Sequence, residues 1–256
     1  MNDLSNSLCP KDRRHPVSQV SNPLSHSEIL PYLDKGYPCV ISGLSTVWEE
    51  AKEWSIEKRF AKGQIFSFDG ENTASFVYVK SGVIHCILYE GNGASRTNLI
   101  CQRGSLINET CTVTRSISTK FIFLCRSQVT LYSFSEDIPF NEKFILKFPH
   151  LIRNMFLSSA IKLLHVQALL NAICTRSTLH LVCWYIYSMV MHHHGATEFS
   201  PGISQSDIIA LLGLSRTSMK RSMAYLRNED IVTDFTKCHL TVRNLDRLRE
   251  LALPGG

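Results

Sequence analysis

The chain has no Cys-x-x-Cys pair, no apolar segment behind its first methionine and little charge for its size. Its nine cysteines (Cys9, Cys39, Cys86, Cys101, Cys111, Cys125, Cys174, Cys183 and Cys238) are odd in number and scattered. A disulfide framework or a zinc site needs tighter, paired spacing, so reduced thiols and no metal are expected. The N-terminal stretch MNDLSNSLCPKDRRHPVSQVSNPLSHSE lacks the apolar core of a signal peptide. The most apolar helical run, Leu179 to Met191, is too short to cross a bilayer. These absences lead us to expect a soluble, cytoplasmic protein with no membrane partner. Only 19% of the residues are charged while 44% are hydrophobic, which excludes disorder for most of the chain. At 256 residues it suits one large domain or two small ones. A net charge of +5 permits a nucleic-acid partner without requiring one.

What is present falls into four zones. Residues 1–24 mix Ser, Asn, Pro and charge without periodicity, as a poorly ordered tail would. Residues 25–140 carry short β-rich runs: GQIFSF, SFVYVKSG, VIHCILYEGNGAS, TNLICQRGS, TKFIFLC and QVTLYSFS. Runs spaced by about ten residues, with Gly or Asn between them, suggest a sandwich or barrel. YEGNGAS reads as a hairpin turn between Ile87 and Leu99.

The pattern changes across residues 141–175. After Pro149, the residues Ile152, Phe156, Ser159, Leu163, Val166, Leu170 and Ile173 follow at alternating steps of four and three. That is the seam of a two-helix coiled coil. Met155, Ile161, Leu164 and Ala168 add apolar surface beside the seam. A helix apolar on two sides can serve the β-domain with one and a second copy with the other, so a homodimer is expected.

Residues 176–256 read as helix, break, helix, turn, helix and hairpin. Helical patterning covers about Ser177 to His192, and ATEFSPG interrupts it. Ser204 is an N-cap candidate with Asp207 three positions on, and Gly213 closes that helix. Ser215 caps the next one, and DIVTDFTKCHLTVRNLD alternates like a β-wing. This order is a winged helix-turn-helix, whose second helix enters the major groove of DNA. On that helix Arg216, Thr217, Lys220 and Arg221 share one face, while Met219, Met223 and Leu226 gather at the apolar edge. Arginine reads guanine O6 and N7, Thr217 suits a thymine methyl, and Ser204, Ser215 and Ser218 suit phosphate oxygens.

The segment ISQSDIIALLGLSRTSMKRSMAYLRNEDIV resembles the DNA-binding domain of the Crp/Fnr family of bacterial transcription regulators. The likeness extends from about Phe60 to Leu251 through GQIF, YVKSG and GSLINE. It implies an α+β chain: a cyclic-nucleotide-binding-like β jelly roll, a long dimerisation helix and a C-terminal winged helix-turn-helix. It also implies a homodimer, a palindromic promoter site in double-stranded DNA, RNA polymerase as a partner, and no enzymatic activity. The family's reading motif is commonly Arg-Glu-x-x-x-Arg; here Arg216 and Arg221 match it, and Thr217 replaces the glutamate.

The sensor is less familiar. The family's cyclic-nucleotide cassette has Gly-Glu followed ten residues later by Arg-Ser. Here Asn108-Glu109 holds the first position and Thr119-Lys120 the second. A lysine is a point charge where a bidentate guanidinium is wanted, which argues against cyclic AMP. The N-terminal cysteine cluster of an iron–sulfur sensor is missing, with only Cys9 and Cys39 in that region. His85 and Cys86 are adjacent on a strand and point to opposite faces, so at most one could meet a haem; an outward His85 and inward Cys86 are expected. The three histidines 192–194 point in different directions on a fraying helix end, where interaction with the helix dipole is expected. A small organic effector without a cofactor therefore remains, in a pocket between roll and long helix. Candidate pocket residues are Arg96, Asn108, Glu109, Thr119, Lys120 and Met155. The chain looks most similar to the branch of the family that senses halogenated phenols, for which Lys120 or Arg96 would supply a positive partner. Three rivals stand beside this reading: a haem- or redox-responsive regulator, a regulator that binds DNA constitutively, and a cupin-type metal enzyme. The last would need ligands from little more than His85, Glu90 and Glu109.

Overall fold

The computed structural model describes residues 37–68, 75–89, 95–115 and 121–253. The tail expected at residues 1–24, the turn at residues 90–94, and Thr119 and Lys120 lie outside the described residues.

Two sheets form the N-terminal roll. One has the order β1 (Val40–Ile41), β6 (Ser95–Cys101), β5 (Ile84–Tyr89), β8 (Phe121–Cys125) and β3 (Ile65–Phe66). The other has the order β2 (Ser55–Phe60), β9 (Val129–Phe134), β4 (Phe76–Ser81) and β7 (Leu106–Ile107). The β4 sequence FVYV is buried throughout because both of its faces are covered. Val77 and Val79 join Ile84, Cys86, Cys101, Phe123 and Leu131 in the core between the sheets. Phe76 and Tyr78 point the other way, against Trp48, Phe134, Phe144 and Met155. Alternation with period two thus feeds two separate cores from one strand. Between β4 and β5 the chain turns at Gly82, where φ is +96° and a Cβ would lie 2.4 Å from the Gln128 carbonyl oxygen. Only glycine fits that turn.

A helix from Pro149 to Thr175 leaves the roll, with proline in its first turn where no intrahelical N–H partner is lost. By length and composition this helix could cross a membrane, whereas the sequence reading considers only the shorter run Leu179 to Met191. The buried stripe of Pro149–Thr175 is not purely apolar, however. Leu151, Met155, Ser158, Ile161, Lys162, His165, Leu169 and Ala172 are all buried, and polar groups tie the helix to the roll. Trp48 Nε1 donates to Asn154 Oδ1 at 3.1 Å, and Asn154 Nδ2 donates to the Leu44 carbonyl at 2.9 Å. On the far side Phe156, Leu163 and Leu170 are 59%, 58% and 56% exposed. They belong to the seam read from the sequence.

The C-terminal region begins with the helix Thr178–His192, every residue of which from Leu181 to Val190 is buried. Around it lie the helices Gln205–Leu212, Arg216–Asn228 and Leu245–Ala252, and a small sheet of β10 (Glu198–Phe199), β12 (Leu240–Val242) and β11 (Val232–Phe235). Their shared core takes in Cys39, Val40 and Ile100 from the roll. The two parts of the molecule are packed directly against each other.

Candidate DNA-reading face and sensor junction

The helix-turn-helix is built by local chemistry. Ser204 accepts a hydrogen bond from the Asp207 amide, and Asp207 Oδ2 accepts one from the Ser204 amide at 2.8 Å, completing a capping box. Gly213 ends this helix in the left-handed region at φ +66°. Ser215 Oγ then accepts from the Ser218 amide at 3.0 Å and starts the second helix. Met219, Met223 and Leu226 are buried, while Ser215, Arg216, Thr217, Lys220 and Arg221 are exposed. Ser204 and Ser218 are half-buried beside them. Among the described residues Arg216, Lys220 and Arg221 form no ion pair with an acidic side chain. Three cations on one exposed helix face, free of internal acids, can neutralise phosphates and reach base edges.

A second polar cluster sits between roll and long helix. Glu109 opens a short helix, Glu109–Thr114, and is 2% exposed. Its Oε1 is ion-paired to Lys162 Nζ and accepts from Ser158 Oγ at 2.9 Å. Lys162 Nζ also donates to the Leu106 carbonyl at 2.6 Å. The carboxylate and the ammonium thereby satisfy each other where neither could remain alone. Next to them Cys86 Sγ and Cys101 Sγ lie 3.8 Å apart in the roll core. The hydrogen bond to Cys101, and then burial, push the Cys86 thiol well up; the same bond, with Lys162 helping, pulls Cys101 down.

Residues 182–251 match the family model of the Crp-like helix-turn-helix domain. The chain carries a Crp-like helix-turn-helix domain. Over most of its length the chain shares its fold with solved structures. CprK complexed with OCPA superposes with a TM-score of 0.68 at 18% identity, over 84% of this chain and 97% of that one. A CooA mutant from Carboxydothermus hydrogenoformans gives a TM-score of 0.67 at 15% identity, over 83% and 100%. TTHA1359 of Thermus thermophilus, a CRP/FNR family transcriptional regulator, gives 0.57 at 13%, over 78% and 100%. No curated protein matches the sequence.

Against the Crp-like frame, the pocket residues named from sequence separate. Glu109 stands at the junction. Met155 lies on the same stripe of the long helix as Ser158, packed with Trp48 and Tyr78. Asn108 precedes the short helix at φ +70°, and its Nδ2 donates to the Ser75 carbonyl at 2.7 Å. Arg96 does not join them: from β6 its Nη2 donates to the Leu211 carbonyl at 3.1 Å. That hydrogen bond takes its side chain toward the helix Gln205–Leu212 and away from Glu109 and Met155. The cavity of about 330 Å³ lined by Arg59, Phe60, Ala61, Lys62 and Gln128 contains none of these residues. Sequence reading missed Ser158 and Lys162. Their signal was position on the inner stripe: Lys162 stands one heptad from both Met155 and Leu169, and Ser158 lies midway between Met155 and Ile161.

The histidines also differ from expectation. Cys86 faces the roll core as read, but His85 is 5% exposed rather than open to solvent. Its Nε2 lies 3.4 Å from Asp207 Oδ1. His193 shares a 2.7 Å hydrogen bond with the Tyr37 hydroxyl and stacks on Phe199 with ring centres 4.0 Å apart. Burial, and then His192 and His194, push its pKa below the ordinary histidine value. His193 is thus a packing residue held by Tyr37 and Phe199.

Proposed function

We propose that this protein is a sequence-specific transcription regulator that binds a palindromic site in double-stranded DNA as a homodimer, under control of a small organic effector. The observation that carries the DNA-binding role is the exposed face of Arg216, Lys220 and Arg221, on the second helix of a Crp-like helix-turn-helix. Arg216 and Arg221 read base edges; Thr217 meets a thymine methyl; Ser204, Ser215, Ser218 and Lys220 hold phosphate. The half-exposed seam of Phe156, Leu163 and Leu170, with Ile152, Ser159, Val166 and Ile173 beside it, supports pairing of two long helices. Such a dimer presents two reading helices to half-sites about one turn of DNA apart. RNA polymerase is the expected partner at the promoter, and the cytoplasm the expected location.

The effector acts at the junction of Glu109, Ser158 and Lys162. A small molecule with an anionic group competes with Glu109 for Lys162, and this loosens or shifts the long helix against the roll. It biases the regulator by its differential affinity for the two arrangements. The similar protein CprK is seen complexed with OCPA, which supports a ligand in this fold. The DNA-reading role is tested by operator binding of Arg216→Ala and Arg221→Ala. Each should relax base preference at one position; unchanged selectivity in both would overturn the assignment. An absorption spectrum of protein purified without oxygen tests the effector class. A spectrum featureless above the aromatic band agrees with an organic effector, and a Soret or cluster band contradicts it.

A further inference from the structure

In β5 and β6 the two faces of one sheet serve two different partners. Ile84 and Cys86 of β5, and Cys101 of β6, lie in the core of the roll. Ile100 of β6 lies instead in the core shared with Tyr185, Ile208 and Leu211 of the DNA-binding domain. His85, between Ile84 and Cys86, also leaves by the outer face and meets Asp207 at 3.4 Å. Arg96, further along β6, reaches the Leu211 carbonyl at 3.1 Å. Asp207 stands in the first turn and Leu211 in the last turn of the same helix, Gln205–Leu212. One pair of strands therefore holds both ends of one helix.

The chemistry suits each end. The Leu211 carbonyl is among the last four of its helix, which have no intrahelical donor, and the negative end of the helix dipole favours a guanidinium there. At the other end Asp207 Oδ2 is engaged by the Ser204 amide and hydroxyl, leaving Oδ1 toward His85. That helix is joined through Gly213 to Ser215, the cap of the reading helix.

We infer that β5, β6 and the helix Gln205–Leu212 form a two-point clasp, so that the sensor sheet sets the position of the reading helix directly, alongside the long helix. Cys86 and His85 are neighbours in sequence, as are Cys101 and Ile100. A shift on the inner face of the sheet is thus felt one residue away at the DNA-binding domain. The inference rests on the reading of residues 205–228 as the DNA-binding unit.

The test uses hydrogen–deuterium exchange on the full-length protein and its Arg96→Ala and Arg96→Lys variants. Arg96 is exposed, so neither change threatens the fold of the roll. In Arg96→Ala the amides of Gln205–Leu212 should exchange about tenfold faster, from loss of a charged hydrogen bond, while those of Pro149–Thr175 keep their rates. Arg96→Lys, which keeps the cation, should fall between the two. Unchanged exchange at Gln205–Leu212, or an equal rise in every helix, would overturn the clasp. Duplex binding in the same samples separates the two claims: wild-type protein that binds no DNA would overturn the DNA-reading role, and with it the relay, whatever the exchange rates.

Discussion

The molecule uses lysine and arginine in two opposite ways. On the second helix of the helix-turn-helix Arg216, Lys220 and Arg221 stand in water, with no acidic partner among the described residues. Between the roll and the long helix Lys162 is buried and bound to Glu109, Ser158 being the third member. The exposed cations add almost nothing to the fold and so remain available to an external polyanion. The buried pair is costly to desolvate and is held only because each charge satisfies the other. A surface charge is a contact waiting for a partner, while a buried pair is a joint between two elements.

That contrast can be broken at either end. The largest effect is expected at the joint. Glu109→Ala leaves Lys162 buried without its counter-charge and should cost about 3–5 kcal/mol in urea unfolding. Replacing both partners together, Glu109→Leu with Lys162→Met, should recover most of that loss; a double variant as unstable as the single one would contradict the pairing. Next comes the apolar face of the same helix. Leu163→Asp should weaken self-association by about 2–4 kcal/mol, read by sedimentation. The surface cations should behave differently: Arg221→Ala should cost about 1–3 kcal/mol in operator binding and leave the unfolding midpoint in place.

The pH response of His85 is smaller. Burial pushes its pKa down to about 4 from 6.5, against the opposing pull of Asp207 and with Arg126 and Lys237 adding to the fall. The packed state therefore prefers the neutral ring. Its contribution is complete above about pH 6.5 and declines as the pH falls toward 4, by at most about 1.4 kcal/mol per pH unit. Unfolding midpoints measured from pH 7 to 5 should fall less steeply in His85→Gln. Smallest is the cap: Ser215→Ala should cost about 1 kcal/mol of stability.

The same contrast explains what could be read from sequence. The helix-turn-helix was legible to the residue, from the Ser204–Asp207 capping box through Gly213 to Ser215, because caps and turns are short-range signals. The exposed apolar stripe Phe156, Leu163 and Leu170 of the long helix was legible from periodicity in the same way. The joint was not: Glu109 and Lys162 meet across 53 positions. Periodicity places a lysine on a stripe but does not name what it touches. Arg96 was named for its charge alone, and its bond to the Leu211 carbonyl, 115 positions away, is a long-range contact that no local pattern gives. His85 was correctly turned outward, yet its outward side is an interface between domains and not solvent.

The most direct test of the account is selection of duplexes from a random-sequence library by the full-length protein. It predicts enrichment of an inverted repeat with half-sites about 10 base pairs apart, centre to centre, lost in Arg216→Ala and Arg221→Ala. No enrichment, or enrichment of a single unrepeated half-site, would contradict a dimeric regulator that reads DNA through this helix.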